Sequence, residues 1–376
     1  MMSTVPGHIP RPGRKEPLFA ALFCALFIFA SITAAGQESS LSLRPVGGGY
    51  YQLTFLTLED SIPDAGILLI EMDDNPAIFG ELEITCDSVS VVRVDAQLAY
   101  KADDRGAAEE IKDLIQLSFE PGEKDLSLSL VIDNELRSAF KKNRPRADIQ
   151  ITVPVGTRVE IDAPYLQLTS TGPVGGLTVR ESYQPVEISG ADGHLNISAV
   201  NTRVSVENLT GSFEISNSNG KIILTDITVT DLRSSALRSA SARTENNDIS
   251  LTRYTGPMNF HVTRGTIRGR SVTLTGRKST LRNSGGVIDI RFDDVAHSAR
   301  LQVRNSFEDV RLRFKEDISA TFSLTAREDG TIDLRNIPHR VDKVTEQKFE
   351  AIAGEGLAQV RVTTRHGGDI FITGHR

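Results

Sequence analysis

Six basic side chains, Arg264, Arg268, Arg270, Arg277, Lys278 and Arg282, fall within 19 residues of a 376-residue chain. Arginine presents a planar fork of donors that matches carboxylate, sulfate and phosphate oxygens two at a time. Such a cluster can hold an anionic glycan, a lipopolysaccharide or another surface polymer. The plainer reading is a solvated face whose cations pair with Asp or Glu of neighbouring elements. Charge along the chain sharpens the contrast. Residues 37–229 carry 15 basic and 30 acidic side chains, residues 230–315 carry 16 and 8, and residues 316–376 carry 8 and 10. A basic block between acidic ones steers a polyanion towards itself, although it says nothing about fold.

Other chemistry is thinly represented. His194, His261, His297, His339, His366 and His375 are scattered, without the i, i+4 spacing of a helical zinc site. No G-x-S-x-G elbow occurs. Acidic pairs stand at Asp73–Asp74, Asp103–Asp104 and Asp293–Asp294. Asp289, Asp293 and Asp294 beside Arg291 would be the choice for a calcium-assisted polysaccharide lyase. Neighbours on a strand point to opposite faces, however, so Asp293 and Asp294 could share an ion only in a turn. The basic run Lys141–Arg146 has neither aromatics nor a recognition helix beside it, which leaves a solvated connector rather than a nucleic-acid site. No cofactor is expected.

The elements that would position the basic block follow a short rhythm. Residues 1–36 have the layout of a secretory signal peptide: Arg11, Arg14 and Lys15, an apolar run from Leu18 to Ile32, then small residues. Removal of that segment takes Cys24 with it and leaves Cys86 without a disulfide partner. No second apolar run is present, so no membrane span is expected in the mature chain. Residues 37–148 read as a small β-rich region, with strands around Tyr50–Phe55, Ile67–Ile70, Leu82–Ile84 and Asp125–Asp133. Within it, the 3–4 residue spacing of apolar side chains over Arg105–Leu117 allows one short amphipathic helix or a charged loop.

From 149 to 376 apolar-x-apolar strands recur. Those beginning at Val186, Leu195, Val204, Phe213 and Ile222 keep a constant step of nine. Polar turns of Asn and Gly separate them, and the turn-plus-strand unit of Ser216–Leu224 returns with first strand residues Ile249, Ile288, Val310, Ile332 and Ile370. Strands this short cannot bury an apolar face alone, so stacked neighbours must supply the core. The expected fold is all-β, a β-solenoid of about 18–22 residues per coil behind the N-terminal region. The competing architecture is an antiparallel β-sandwich. Recurrent Asn would stack at one corner, and 37–148 with the C-terminal 365–376 would cap the open ends.

Here the chain resembles the bacterial putative-adhesin family, a domain of unknown function built from β-strand repeats. The matching features are Ile151-Thr152-Val153-Pro154 followed by Gly156 and Val159-x-Ile161, and the serial turn-Gly-x-Ile strands. The ending matches as well: Gly354-Glu355-Gly356, Val360-x-Val362, then His366-Gly367-Gly368-Asp369-Ile370-Phe371-Ile372. The resemblance implies a cell-envelope β-repeat protein and brings no catalytic residues. The expectation is an exported protein of the periplasm, cell surface or medium, non-enzymatic and adhesin-like. Its partner would be a surface polysaccharide or another envelope protein, met through many weak contacts. The competing function is a carbohydrate-active β-helix enzyme of the lyase type.

Overall fold

Runs of Val, Ile and Leu set two apart, punctuated by Gly and Asn, favour pleated strands over helices. A computed structural model describes residues 42–376 apart from 56, 63–65, 73–77, 134, 137–139, 141–143, 231–239 and 277. The segment 1–36 with Cys24, the pair Asp73–Asp74, part of the Lys141–Arg146 run, and Arg277 lie outside the described residues. The chain is nearly all β, its strands joined in one long open sheet. The α-helix Arg105–Asp113 follows its N-cap Asp104, whose carboxylate accepts from the Ala107 amide. That helix is shorter than the spacing implied. Leu114 caps it, and Ile115 already opens the strand Ile115–Pro121.

Two parallel ladders organise the repeat, and the chain alternates between them. In the first, Arg158 pairs with Gly176, Gly176 with His194 and His194 with Ser212, each partner 18 residues on. In the second, Leu168, Val186, Val204 and Ile222 follow one another at the same interval. From Ile222 that column continues through Ile249, Ile267, Ile288 and Val310. Among the described strands from Arg158 to Lys315 no pair is antiparallel, because each turn carries the chain to the opposite ladder. We call one strand of each ladder, taken together, a tier.

Alternation then sorts the side chains. Val159, Leu177, Leu195 and Phe213 point inward and are at most 1% exposed, as are most members of the Leu168–Val310 column. Both ladders feed one core. Phe213 of the first meets Tyr254 of the second edge-on at 6.5 Å, and Phe314 meets Phe322 at 5.9 Å. Alanines at 240 and 242 leave room for this aromatic group, since Phe260 stacks on Phe213 across that tier at 6.3 Å.

Close backbone stacking demands glycine at two columns. A Cβ on Gly211, whose φ is +155°, would lie 1.9 Å from the Gly193 carbonyl oxygen. One on Gly286, in the turn before Ile288, would lie 1.9 Å from the Gly265 oxygen.

Sequence order and spatial order part company at both ends. Ala358–Thr364 lies between Arg300–Asn305 and Ala320–Ala326, and Ile370–His375 lies between Val310–Lys315 and Ile332–Arg335. The last tier in the chain is thus the penultimate tier in space. The expected capping role of 365–376 is therefore corrected: Ile370–His375 is an interior strand. The first ladder ends instead in the antiparallel hairpin His339–Val344 and Lys348–Ala353. The N-terminal end repeats the device. Ile67–Met72 sits between Asp125–Ile132 and Arg158–Asp162, and Phe79–Asp87 between Arg146–Pro154 and Leu166–Thr171. Antiparallel Ile115–Pro121 and Val92–Lys101 then cover the two ladders.

Two outcomes test this packing. Gly211→Ala should cost about 3 kcal/mol, read as a lowered midpoint in chemical denaturation, because backbone and not a pliable side chain blocks the new methyl. Ending the chain at Ala353 should leave 320–353 open to proteases and fast hydrogen exchange while 158–295 stays protected, since the strands that join the two regions are gone.

Candidate functional site

Each tier must turn from the first ladder to the second within a few residues, and the turn leaves carbonyls facing inward. The residue entering the turn satisfies them. The Asn217 Nδ2 donates to the Thr202 carbonyl at 2.8 Å and the Thr244 hydroxyl to Gly220 at 2.8 Å. Asn283 reaches Gly265 and Gly286, both at 2.8 Å, and Asn305 reaches Gly286 at 2.9 Å and Glu308 at 2.6 Å. All four side chains are at most 3% exposed. Outside them, Asn201 and Asn219 sit at φ near +60°, the Asn219 Nδ2 donates to the Asn201 Oδ1 at 3.0 Å, and Asn246 continues the ladder by donating to Asn219. The recurrent asparagines therefore serve the corner. Aspartates help too: the Asp248 carboxylate accepts from the Thr266 amide at 2.8 Å and that of Asp369 from Thr331 at 2.7 Å.

The corner sets the register, and the register sets what lines up outside. The sequence-predicted cations divide among three places. Arg264 lies in a corner turn and is exposed. Arg268 and Arg270 point outward on the second ladder, level with Ser250 and Thr252. Lys278 and Arg282 belong to the first ladder, where Arg282 pairs in register with His261 on one side and Arg304 on the other. Arg277 lies outside the described residues.

Following that register reveals a column that adjacency in sequence hides. Arg243, His261, Arg282 and Arg304 occupy one outward position on four successive strands, about 4.8 Å apart. Among the described residues the three arginines make neither an ion pair nor a side-chain hydrogen bond, and all three are exposed. The second ladder differs. There Arg291 meets Asp293 at 3.4 Å, Arg311 meets Asp309 at 2.9 Å and Arg313 meets Asp289 at 2.7 Å. Asp289, Asp293 and Arg291, weighed as lyase residues, are thus engaged as surface ion pairs, while exposed Asp294 stands level with Thr273. No group of three or more metal-ligating side chains converges among the described residues.

The first-ladder face runs into a surface groove of about 600 Å³. Lys278, Arg300, Gln302 and Arg361 line it together with Asp342 and Glu350 of the end hairpin. Lys348, 2.5 Å away, hydrogen-bonds the Glu350 carboxylate and holds it below the usual carboxylate range. Glu350 is therefore an ionised acceptor and not a proton donor near neutral pH. Cys86 donates to the Pro154 carbonyl at 3.2 Å, and burial pushes its thiol up, away from reactivity.

No known protein family and no curated protein matches this chain in sequence. Among solved structures it is similar to a putative cell adhesion protein from Clostridium sporogenes, at 10% identity over 85% of this chain and 99% of that one, with a TM-score of 0.17. A putative lipid binding protein from Parabacteroides distasonis aligns at 11% identity over 88% and 98%, with a TM-score of 0.22. A putative adhesin from Bacteroides fragilis aligns at 11% over 84% and 96%, with a TM-score of 0.18. Among the described residues no helix is long and apolar enough to cross a membrane.

His261 offers a direct probe of the column. Partial burial, then the charges of Arg243 and Arg282, hold its imidazole below the ordinary histidine value. The unfolded chain would protonate this ring first, so it subtracts stability as pH falls from the ordinary value, about 6.5, to the lowered one, and nothing further below both. Titration followed by NMR should find the lowered value, and Arg243→Gln should raise it.

Proposed function

We propose that this chain is an exported, non-enzymatic envelope protein whose β-solenoid, about 18–22 residues per coil, presents an adhesin-like surface to anionic polymers. The region 37–148 forms its capping part and 149–376 its repeat part, within one continuous sheet. Parallel pairing at a steady 18-residue interval supports the solenoid reading. The binding reading rests on one contrast. Arginines from 291 to 313 on the second ladder are paired with aspartate, whereas Arg243, Arg282 and Arg304 on the first are not. Unpaired cations on a rigid repeat give many weak contacts and hence avidity without a deep pocket. Arg264, Arg268 and Arg270 add to the long-range attraction.

One observation favours a lyase-like reading: the groove carries side chains of both signs. The Glu350 carboxylate weighs against it, because a group that Lys348 holds below the usual carboxylate range is a poor general base for the proton abstraction a lyase needs. A single experiment separates the two. The purified chain is incubated with surfaces coated in acidic polysaccharide over a range of salt, and soluble product is measured alongside retention. Retention that weakens with salt, without product, is expected. Simultaneous reversal of Arg264, Arg268, Arg270, Lys278 and Arg282 to Glu should abolish it. Released oligosaccharide, or retention unchanged by the reversal, would overturn the proposal.

A further inference from the structure

The Arg243–His261–Arg282–Arg304 column does more than add positive charge; its geometry specifies the shape of a ligand. We infer that the outward face of the first ladder binds a linear acidic polysaccharide laid parallel to the stacking direction, with one acidic group for each tier and one end of the bound segment in the groove. This inference rests on the anionic-polymer reading above and makes it specific.

Three observations carry it. The first is alignment. Strand register places the four side chains at one outward position on adjacent strands, and 18, 21 and 22 residues of chain separate the successive members. Only a ligand extended along that line can meet all of them. An extended acidic glycan offers one charge per ring at an interval close to the strand spacing of about 4.8 Å.

The second is cost. Like charges directly opposite on neighbouring strands destabilise a sheet, and the chain holds Arg282 directly opposite Arg304 without a carboxylate paired to either. On the second ladder the same problem is solved internally by Asp289, Asp293 and Asp309. An external run of anions supplies the missing partners on the first.

The third is the company the column keeps. Its neighbouring outward positions are Ser241, Asn259, Thr280, Gln302 and Arg361, with no aromatic side chain among them. Single-stranded nucleic acid is held by stacking platforms as well as charge, and a lipid surface needs exposed apolar side chains; these outward positions offer neither, the exposed Phe307 lying beyond them in the turn after Arg304. Hydroxyl and amide groups suit sugar hydroxyls. Next in register beyond Arg304 and Gln302 come Thr363 and Arg361, which bring the line to the groove with Arg300 and Lys278 at its edge.

The test uses the full chain and size-fractionated oligogalacturonates, which carry one carboxylate per ring, with binding read by calorimetry. Affinity should climb with each added ring up to about five and then level off, because the column and the groove entrance offer about that many cationic steps. Arg282→Gln and Arg304→Gln should each weaken the long oligomers about tenfold. Arg313→Gln, on the paired second ladder, should leave binding within a factor of about two. Melting temperature guards against trivial loss of fold. Relief of like-charge repulsion should leave the two first-ladder variants at least as stable as the parent, where a structural role would lower them. Equal affinity for a dimer and a decamer would overturn the linear arrangement. Loss of binding in Arg313→Gln but not in Arg282→Gln would overturn the face. A thymidine oligonucleotide, or vesicles containing anionic lipid, bound as tightly at matched charge would overturn the glycan assignment. If polygalacturonate, heparin, the oligonucleotide and the vesicles all fail to bind, the anionic-polymer reading itself falls, which is distinct from failure of the arrangement alone.

Discussion

Buried side-chain donors, amide or hydroxyl, at five of the corners govern this molecule. Every tier sends its chain from one ladder to the other through a turn whose carbonyls face the interior, and an unsatisfied buried carbonyl costs about 1–3 kcal/mol. Asn217, Thr244, Asn283, Asn305 and Thr364 meet that demand by donating to the turn of their own tier or an adjacent one. Because the donor reaches a fixed oxygen, a slipped strand would forfeit the bond and bury the wrong face. Register is therefore held at the corner as well as by the apolar columns. Everything on the outside, including which charges stand beside which, inherits that register.

The two outer faces treat charge in opposite ways. From Arg291 to Arg313 the second ladder pairs each arginine with an aspartate, and such exposed pairs contribute little net stability. Their effect is to neutralise the face. From Arg243 to Arg304 the first ladder leaves its arginines aligned and unpaired, and burial together with two of them depresses the basicity of His261. A sheet built only to be stable would not keep this arrangement. The two faces therefore present opposite electrostatic character to the surroundings.

Much of this was legible in the sequence, and the limits are physical. The nine-residue step from Val186 to Ile222 and the returning Asn/Gly turn foretold two alternating strands per 18 residues, and the stacking of Asn201, Asn219 and Asn246 follows directly. The interposed tiers were hidden. The interval from Ile332 to Ile370 looks like two ordinary repeats, whereas half of it is a hairpin and Ile370 lands back against Val310. Local periodicity contains no information about that return. The basic block was legible as composition but not as a surface. Arg268 and Arg282 are close in sequence yet lie on different ladders, while Arg243 and Arg304, 61 positions apart, share a column. The signal that would find them is an alignment of tiers on the buried turn residue: Arg243, Arg282 and Arg304 each immediately precede Thr244, Asn283 or Asn305.

The interleaving of the ends also constrains how such a protein can change over time. Where the terminal strand of a repeat array is simply the outermost one, duplication of the last unit lengthens the array by accretion. Here neither end of the parallel stack is free to do so, since Ile67–Met72 with Phe79–Asp87, and Ala358–Thr364 with Ile370–His375, are each clasped between two other tiers. Growth by whole units is open only to the interior stretch between Arg158 and Lys315, where one tier hands on to the next. Members of such a lineage would differ in length at their middles and keep matching ends, and an engineer who wants a longer binding face would splice there too.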